Sequence, residues 1–271
     1  MAAQVKFYKK NTIDIDNENV TITITDATAT NNGQDFVDFM RNRNNSSRWQ
    51  TTGSNDAANT QIDIDFGEER DIDRIILVLH NFDSYTIQYY NGSTYTDFST
   101  AINVSSGTAT TTEHSFNSVT TQLIRIIITA TQVTDDDKDL AQLIITESIG
   151  QLTGWPQIKK PEYSFNKSEV KMLSGKSFIS RQRGNFSMSM SVVNYNVDAD
   201  IAIFEEIYQS IFGVLVWANA GDNTQFARNN LGFREQDIFL MLPTDEYRPE
   251  HYKYCYQLGI KFDIKFTEVV R

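Results

Sequence analysis

The sequence predicts a mainly β protein: an N-terminal jelly-roll sandwich, followed by a β-sandwich or barrel domain that carries one α-helix. Three observations predict it. Short segments of period-two alternation recur through both halves of the chain, bounded by Asn, Gly and Pro. Aromatic residues make up 12% of the chain although hydrophobic residues reach only 40%, a balance suited to strands with one apolar and one polar face. Only one stretch, near 199–212, repeats apolar residues at helical spacing. At 271 residues the chain suits two domains rather than one small sandwich.

Along the first half, Val20 to Ile24 and Gln61 to Phe66 alternate, and Ile72 to Leu79 is a longer apolar run of the kind found in a buried central strand. Tyr85 to Tyr90 alternates and ends at Asn91-Gly92, a hairpin-turn signal. Leu123 to Thr129 and Leu140 to Thr146 supply two more strands. Trp49 is expected to cover one end of the sandwich, and Gly67 to relieve strain in a turn after Asp65. Arg125 sits between apolar neighbours, so it either faces solvent or pairs with a carboxylate such as Asp63 or Asp65.

Periodicity breaks at Ile149-Gly150-Gln151-Leu152-Thr153-Gly154-Trp155-Pro156, which places a boundary between residues 1–150 and 151–271. Asn185 to Val192 then alternates strictly, with Phe186, Met188, Met190 and Val192 on one face. The helix over 199–212 has Asp198 to cap it and Gly213 to stop it, with Ile201, Phe204, Ile207, Tyr208 and Ile211 as its apolar stripe. Val214 to Trp217, Asp237 to Leu242 and Tyr252 to Thr267 return to strands.

The order of motifs carries two resemblances. Trp49-Gln50-Thr51-Thr52, Thr60 to Gly67, Ile72 to Leu77, Tyr85 to Ser93, Leu123 to Ile128 and Ala141 to Ile145 follow one another as in a discoidin (coagulation factor C-type) domain. That resemblance spans about residues 20–148 and implies an eight-stranded, galactose-binding-like jelly roll, here without the family's paired cysteines. Arg181 to Met190, the single helix, Phe212 to Trp217 and a later aromatic-rich strand pair resemble the tail-tube-like core of phage distal tail proteins, over about residues 155–271. In that family the core ordinarily precedes an appended sandwich; here the sandwich comes first.

Charge and chemistry narrow the function. Residues 1–150 hold 10 Lys+Arg against 21 Asp+Glu, whereas residues 151–271 hold 14 of each, so the acidic half repels phosphate backbones and nucleic acid is not an expected partner. Cys255 is the single cysteine, which excludes an intrachain disulfide and a thiolate cluster and leaves it as a small core or interface residue. The first residues lack a secretory apolar run and no stretch approaches 18 apolar residues, so folding in a reducing cytoplasm without membrane insertion is expected. His80, His114 and His251 have no second ligand at metal spacing and read as surface or strand-end residues. Neither a nucleophile elbow nor a phosphate-binding glycine loop is present, and no cofactor is expected.

Three sets of residues remain as candidates. His80, Asn81, Phe82, Asp83 and Tyr95 suit a sugar-binding edge, where an aromatic face stacks on the ring while Asn and Asp bond its hydroxyls. Asp135, Asp136, Asp137 and Asp139 offer oxygen ligands for Ca²⁺, although without a D-x-D-x-D-G loop. Phe186, Met188 and Trp217 are expected at an interface between copies. Taken together the sequence points away from an enzyme and toward a structural virion protein of a phage tail tip. Such a protein, made in the host cytoplasm, would assemble into a homo-oligomeric ring with other tail proteins. The alternative is an adsorption protein that recognises a cell-surface glycan, and a glycan-degrading enzyme comes third.

Overall fold

The computed structural model describes residues 4–153, 156–158, 162–171, 177–194, 198–220, 234, 236–246, 248, 250–254 and 257–269. In chain order the strands of the first part are β1 (Gln4–Lys9), β2 (Thr21–Asp26), β3 (Trp49–Gln50), β4 (Thr60–His80), β5 (Phe82–Tyr90), β6 (Tyr95–Val104), β7 (Thr111–Thr131) and β8 (Asp139–Thr146). Those that follow are β9 (Ser148–Gln151), β10 (Gln157–Ile158), β11 (Glu162–Lys171), β12 (Ser177–Asn194), β13 (Val214–Ala220), β14 (Ile238–Pro243), β15 (Glu250–Tyr254) and β16 (Gln257–Glu268). A 3-10 helix spans Gln34–Met40 and helix α1 spans Asp198–Gln209. The mainly antiparallel β architecture read from alternation is therefore the observed one.

The chain divides into two compact units, Lys9–Ser148 and Met1–Tyr8 with Ile149–Arg271. The second unit thus begins at the N-terminus. In its sheet, ordered β10-β12-β16-β14-β13-β1-β9, the first strand lies between β13 and β9. The Leu152 N–H donates to the Val5 carbonyl at 3.1 Å, continuing that pairing. The sandwich unit is an insertion between two neighbouring strands, where the sequence reading began a domain at residue 1. Val5 and Phe7 alternate inward like any other strand of this core.

The Lys9–Ser148 unit is built on two long strands. β4 and β7 each run 21 residues, and their register shifts between Asp65 and Arg70. Gly67 holds φ +77° there, and a Cβ on it would lie 2.9 Å from the Asn19 carbonyl oxygen, so glycine is required, but at an irregularity inside β4 rather than in a turn that closes a strand. The first part of β4 pairs with β2 and with the last part of β7, which pairs in turn with β5 and β5 with β6. The second part of β4 pairs with β8, and β8 with β3. One bent sheet of seven strands, rather than the eight implied by the resemblance, folds over a single core of Ile62, Ile64, Phe66, Ile75, Leu77, Ile124, Ile126 and Trp49. Trp49 is fully buried in that core, against the close approach that Gly33 permits.

In the other unit α1 lays Ile203, Phe204 and Ile207 onto Phe186, Met188, Val214, Val216 and Phe266. Phe7 joins them, 6.4 Å from Phe204 and 6.3 Å from Phe266 between ring centres. The helix ends at Gln209, three residues short of the expected end. Gly213 is not its stop: the helix ends four residues earlier, and Gly213, with φ +84°, stands directly before β13, its carbonyl accepting from the Ser210 hydroxyl at 2.9 Å. Among the described residues no helix is long and apolar enough to cross a membrane. Cys255, Trp155 and Pro161 lie outside the described residues.

Candidate functional site

The sugar-binding edge read from the sequence does not come together as expected. His80 is 3% exposed and Phe82 is fully buried, so neither ring presents a face to a ligand. Phe82 points to the core because the buried face of β5 also carries Tyr85 and Ile87. The Phe82 N–H donates to His80 Nδ1 at 3.1 Å, which leaves Nε2 as the protonated nitrogen facing Thr112 Oγ1 at 2.7 Å. Tyr85 Oη lies 3.2 Å from that same hydroxyl and 2.8 Å from His114 Nε2. His80 is thus a strand-end residue, the last of β4, but a buried one, and His114 is half-buried within β7; burial pushes both imidazoles down to about 4.

Asn81 is committed to the backbone: its Nδ2 donates to the Asp137 carbonyl at 2.7 Å and its Oδ1 accepts from the Asp139 N–H at 3.0 Å. Asp83 is half-buried and accepts from the Ser84 hydroxyl. Tyr95 stands opposite Tyr90 at the far end of β5. Eight residues of strand, roughly 26 Å, separate it from Phe82.

The acidic loop is likewise arranged around an internal cation instead of a metal. Asp137 Oδ1 accepts from the Ser54 N–H at 2.9 Å, Asp135 Oδ1 from the Asp56 N–H at 3.1 Å, and Asp139 pairs with Arg48 at 2.7 Å. Lys138, with a fully buried side chain, sends its ammonium to the Asn55 carbonyl at 2.7 Å and to Asp56 at 3.2 Å. Among the described residues no group of three or more His, Cys, Asp or Glu side chains converges as a metal site. The expected interface residues Phe186, Met188 and Trp217 are 0%, 1% and 2% exposed, because the alternation that sets them on one face turns that face into their own unit's core.

What the fold does assemble is a polar face across the outer side of β4, β7, β5 and β6. Asp63 pairs in register with Arg125, Arg125 with Gln88, and Gln88 with Asp97, so one row crosses four strands. The Arg125 Nε–H donates to Asp63 Oδ1 at 2.7 Å, and its guanidinium carbon lies 3.8 Å from the centre of the Tyr95 ring. Both readings offered for Arg125 hold at once: it is on the outward side of its strand and paired with Asp63. Gln88 Nε2 donates to Asp97 at 3.0 Å. Burial and the Asp63 charge push the Tyr95 hydroxyl up from its ordinary value, against the pull of Arg125.

Beside this row lies a cavity of about 480 Å³ lined by Glu69, Tyr89, Tyr90, Asn91, Thr120 and Gln122, among others. Tyr90 belongs to both, since its ring packs edge-on against Tyr95 with centres 5.6 Å apart. Gln122 is the second link, donating to Asp65 Oδ1 at 2.9 Å. Sequence reasoning named Tyr95 and Arg125 but missed Tyr90, Gln88, Asp97 and Gln122. Strand alternation already set Gln88 with Tyr90, and Tyr95 with Asp97, on one side, but only the strand register shows that they meet; Gln122, of opposite parity to Arg125 on β7, reaches Asp65 beside the register shift of that pair.

A family model described as F5/8 type C domain matches residues 21–140, which supports the discoidin-like reading of that part. A search of curated proteins found no match. Among solved structures the chain is similar to chitosan-binding module 1 of a chitosanase/glucanase from Paenibacillus sp. IK-5, at 17% identity over 51% of this chain and 99% of that one, with a TM-score of 0.41. It is also similar to the family 32 carbohydrate-binding module of Clostridium perfringens NanJ in complex with galactose, at 12% identity, 53% and 99% coverage, and a TM-score of 0.38. A third is a Clostridium perfringens module in complex with GalNAc-β-1,3-galactose, at 14% identity, 47% and 94% coverage, and a TM-score of 0.37.

Proposed function

We propose that the Lys9–Ser148 unit binds a glycan at the Tyr90–Tyr95 end of its outer sheet face. One observation carries the reading: the 480 Å³ cavity opens beside an aromatic pair whose second member lies under the Arg125 guanidinium. A cavity of this size, walled by a few convergent polar groups and by rings, is the usual form of a small-ligand site. Arg125 spends its Nε–H on Asp63, and the other N–H groups of its guanidinium are suited to sugar oxygens. Gln88, Asp97, Asn91 and Gln122 add amide and carboxylate partners on the same side. The match of residues 21–140 to the F5/8 type C model agrees with this assignment.

The reading is binding without turnover. Asp63 is engaged as an acceptor by Arg125, and Asp65 Oδ1 accepts from both the Gly67 N–H and Gln122. A glycosidase would instead need one carboxyl kept protonated by an apolar pocket. A glycan array probed with the full chain tests the proposal. Tyr95→Ala and Arg125→Gln are expected to weaken the bound sugar at least tenfold, about 1.4 kcal/mol, without loss of fold. Undiminished binding by both variants refutes the site, and release of reducing sugar from any bound glycan refutes binding without turnover.

A second reading concerns the other unit. Ile211 and Phe212, just past α1, are 78% and 68% exposed, an apolar pair on a chain segment of balanced charge. This favours assembly, and we propose a homo-oligomeric ring in a phage tail tip, with other tail proteins as partners and the glycan-binding unit as its adsorption module. Mass photometry of the full chain is expected to show a closed oligomer that Phe212→Ser dissociates. A monomer at every concentration counts against it.

A further inference from the structure

The chain holds two Asn-Gly pairs, Asn32-Gly33 and Asn91-Gly92. An asparagine before glycine can be attacked at its side-chain amide carbon by the next backbone nitrogen, because glycine has no Cβ to bar the approach. The fold treats the two pairs differently. Asn32 is committed on every side: Nδ2 donates to the Ile24 carbonyl at 2.7 Å, Oδ1 accepts from the Gln34 N–H at 3.1 Å, and the Gly33 N–H donates to Asn31 Oδ1 at 2.8 Å. Gly33 is also buried, and a Cβ on it would lie 2.6 Å from both the Gln50 carbonyl oxygen and Trp49 Nε1, so this peptide has no room to turn.

The other pair is open. Asn91 and Gly92 are exposed in the loop between β5 and β6, Gly92 has φ +92°, and a Cβ on it would meet nothing within 4 Å. Asn91 Oδ1 accepts three hydrogen bonds, from the Ser93 N–H at 3.1 Å, the Ser93 hydroxyl at 2.9 Å and the Thr94 N–H at 3.1 Å. The ring closed by the Ser93 N–H bond contains both the Asn91 Cγ and the Gly92 nitrogen, the two atoms that must join. Donors gathered on that oxygen stabilise the charge it gains when Cγ becomes tetrahedral, as an oxyanion hole does. We infer that Asn91 is a self-modification site, which deamidates in the folded protein while Asn32 is spared. The Gly92 nitrogen bonds to Cγ and gives its proton to solvent, Nδ2 leaves as ammonia, and water opens the cyclic imide to aspartate or isoaspartate. Asn91 lines the 480 Å³ cavity together with Glu69, so the product sets a second carboxylate there and removes an amide donor. The effect on ligand binding, unlike the chemistry, rests on the reading of that cavity as a glycan site.

The test ages the full chain in mildly alkaline buffer and follows both asparagines by digestion at acidic pH and mass spectrometry, with isoaspartate separated by chromatography. Asn91 is expected to convert at least about tenfold faster than Asn32. In urea, where only local sequence remains, the two are expected to react at comparable rates. Ser93→Ala, which removes the hydroxyl donor, is expected to slow Asn91 several-fold in the folded chain. Equal conversion of both pairs in the folded chain, a ratio that unfolding does not change, or an unaltered Asn91 rate in Ser93→Ala overturns the proposal. Fully converted protein and Asn91→Asp are expected to bind a glycan array several-fold more weakly than fresh protein, and undiminished binding by both overturns the effect on the cavity. Array binding that Tyr95→Ala does not diminish sinks the cavity as a glycan site and leaves the mass measurement untouched, so the two failures are distinguishable.

Discussion

The Lys138 ammonium and the Asp56 carboxylate lie 3.2 Å apart beneath a run of four aspartates, with the lysine side chain fully buried. Burial works against the Asp56 charge, but the Asp135 backbone N–H and the Lys138 ammonium hold its carboxyl below the usual range. Around them Thr51, Ser54 and Asp137 tie the loop before β4 to the loop before β8. A buried cation that loses its place leaves carboxylates facing each other without compensation. Lys138→Met is therefore expected to destabilise the unit by ~3 kcal/mol in urea unfolding. Because Asp56 is paired with this ammonium, Asp139 with Arg48, and Asp135 and Asp137 accept from backbone N–H groups, Ca²⁺ and chelators are expected to leave the melting temperature unchanged. A clear upward shift with Ca²⁺ contradicts the internal-cation account.

Acid should destabilise the same unit well before its carboxylates titrate. His80 and His114 are both pushed down to about 4, chiefly by burial, with His114 adding to the effect on His80 and Glu113 opposing it at His114. An unfolded histidine titrates near 6.5. Between these values the unfolded chain takes up two protons that the fold refuses, so stability present above about pH 6.5 is lost as pH falls toward 4. By pH 5 the loss is up to about 2 kcal/mol per histidine. Melting temperatures between pH 7 and 4.5 check this, and His114→Gln is expected to flatten the profile by about half. A flat wild-type profile across that interval contradicts the burial of both rings.

How far the sequence reached is best seen strand by strand. The alternation of Gln61 to Phe66 and of Leu123 to Thr129 was legible because one face of each is buried, and Gly67 and Gly213 were legible as positions of positive φ, although Gly67 lies inside β4 and Gly213 directly before β13 rather than at the end of α1. Strand β1 was not legible, since its partners β13 and β9 lie over a hundred residues away and its six residues carry no turn signal. His80 and Phe82 read as a ligand-facing edge because β4 and β5 are separated by Asn81 alone, too short a break for composition to show. Alternation was read correctly at Phe186 and Met188, yet it cannot say whether an apolar face meets its own unit or a partner. The Tyr90, Tyr95 and Arg125 cluster needed the register of β5 on β6 and β7, which the sequence does not encode locally.

The return of the chain to its second unit passes through Gly150. A Cβ there would lie 2.6 Å from Ile203 Cγ1 and Cδ1, on the helix that covers the core. Gly150→Ala is expected to cost about 1–3 kcal/mol of stability through this overlap. Ile203→Val removes one of the two clashing methyl-side atoms, so the double variant should recover part of the loss. Additive effects in that double-mutant cycle would show that the two residues are not in contact.

Strand β2 lies at the edge of its sheet, where unpaired backbone groups invite another strand. Two side chains close that edge. The Ile24 N–H donates to Gln34 Oε1 at 2.7 Å, Gln34 Nε2 donates to the Ile22 carbonyl at 2.8 Å, and Asn32 Nδ2 donates to the Ile24 carbonyl at 2.7 Å. Gln34 thus mimics a strand residue, and by doing so fixes the start of the helix that carries Phe36 and Phe39. Gln34→Ala removes two of the three bonds, with an expected loss of about 1–2 kcal/mol. It also opens the Ile22–Ile24 backbone to pairing with a second chain, so light scattering on storage should rise faster than for the wild type. Gln34→Glu keeps the acceptor for the Ile24 N–H and loses the donor to Ile22, and should fall between the two. Equal scattering by all three proteins would mean that the edge is protected by something other than this side chain.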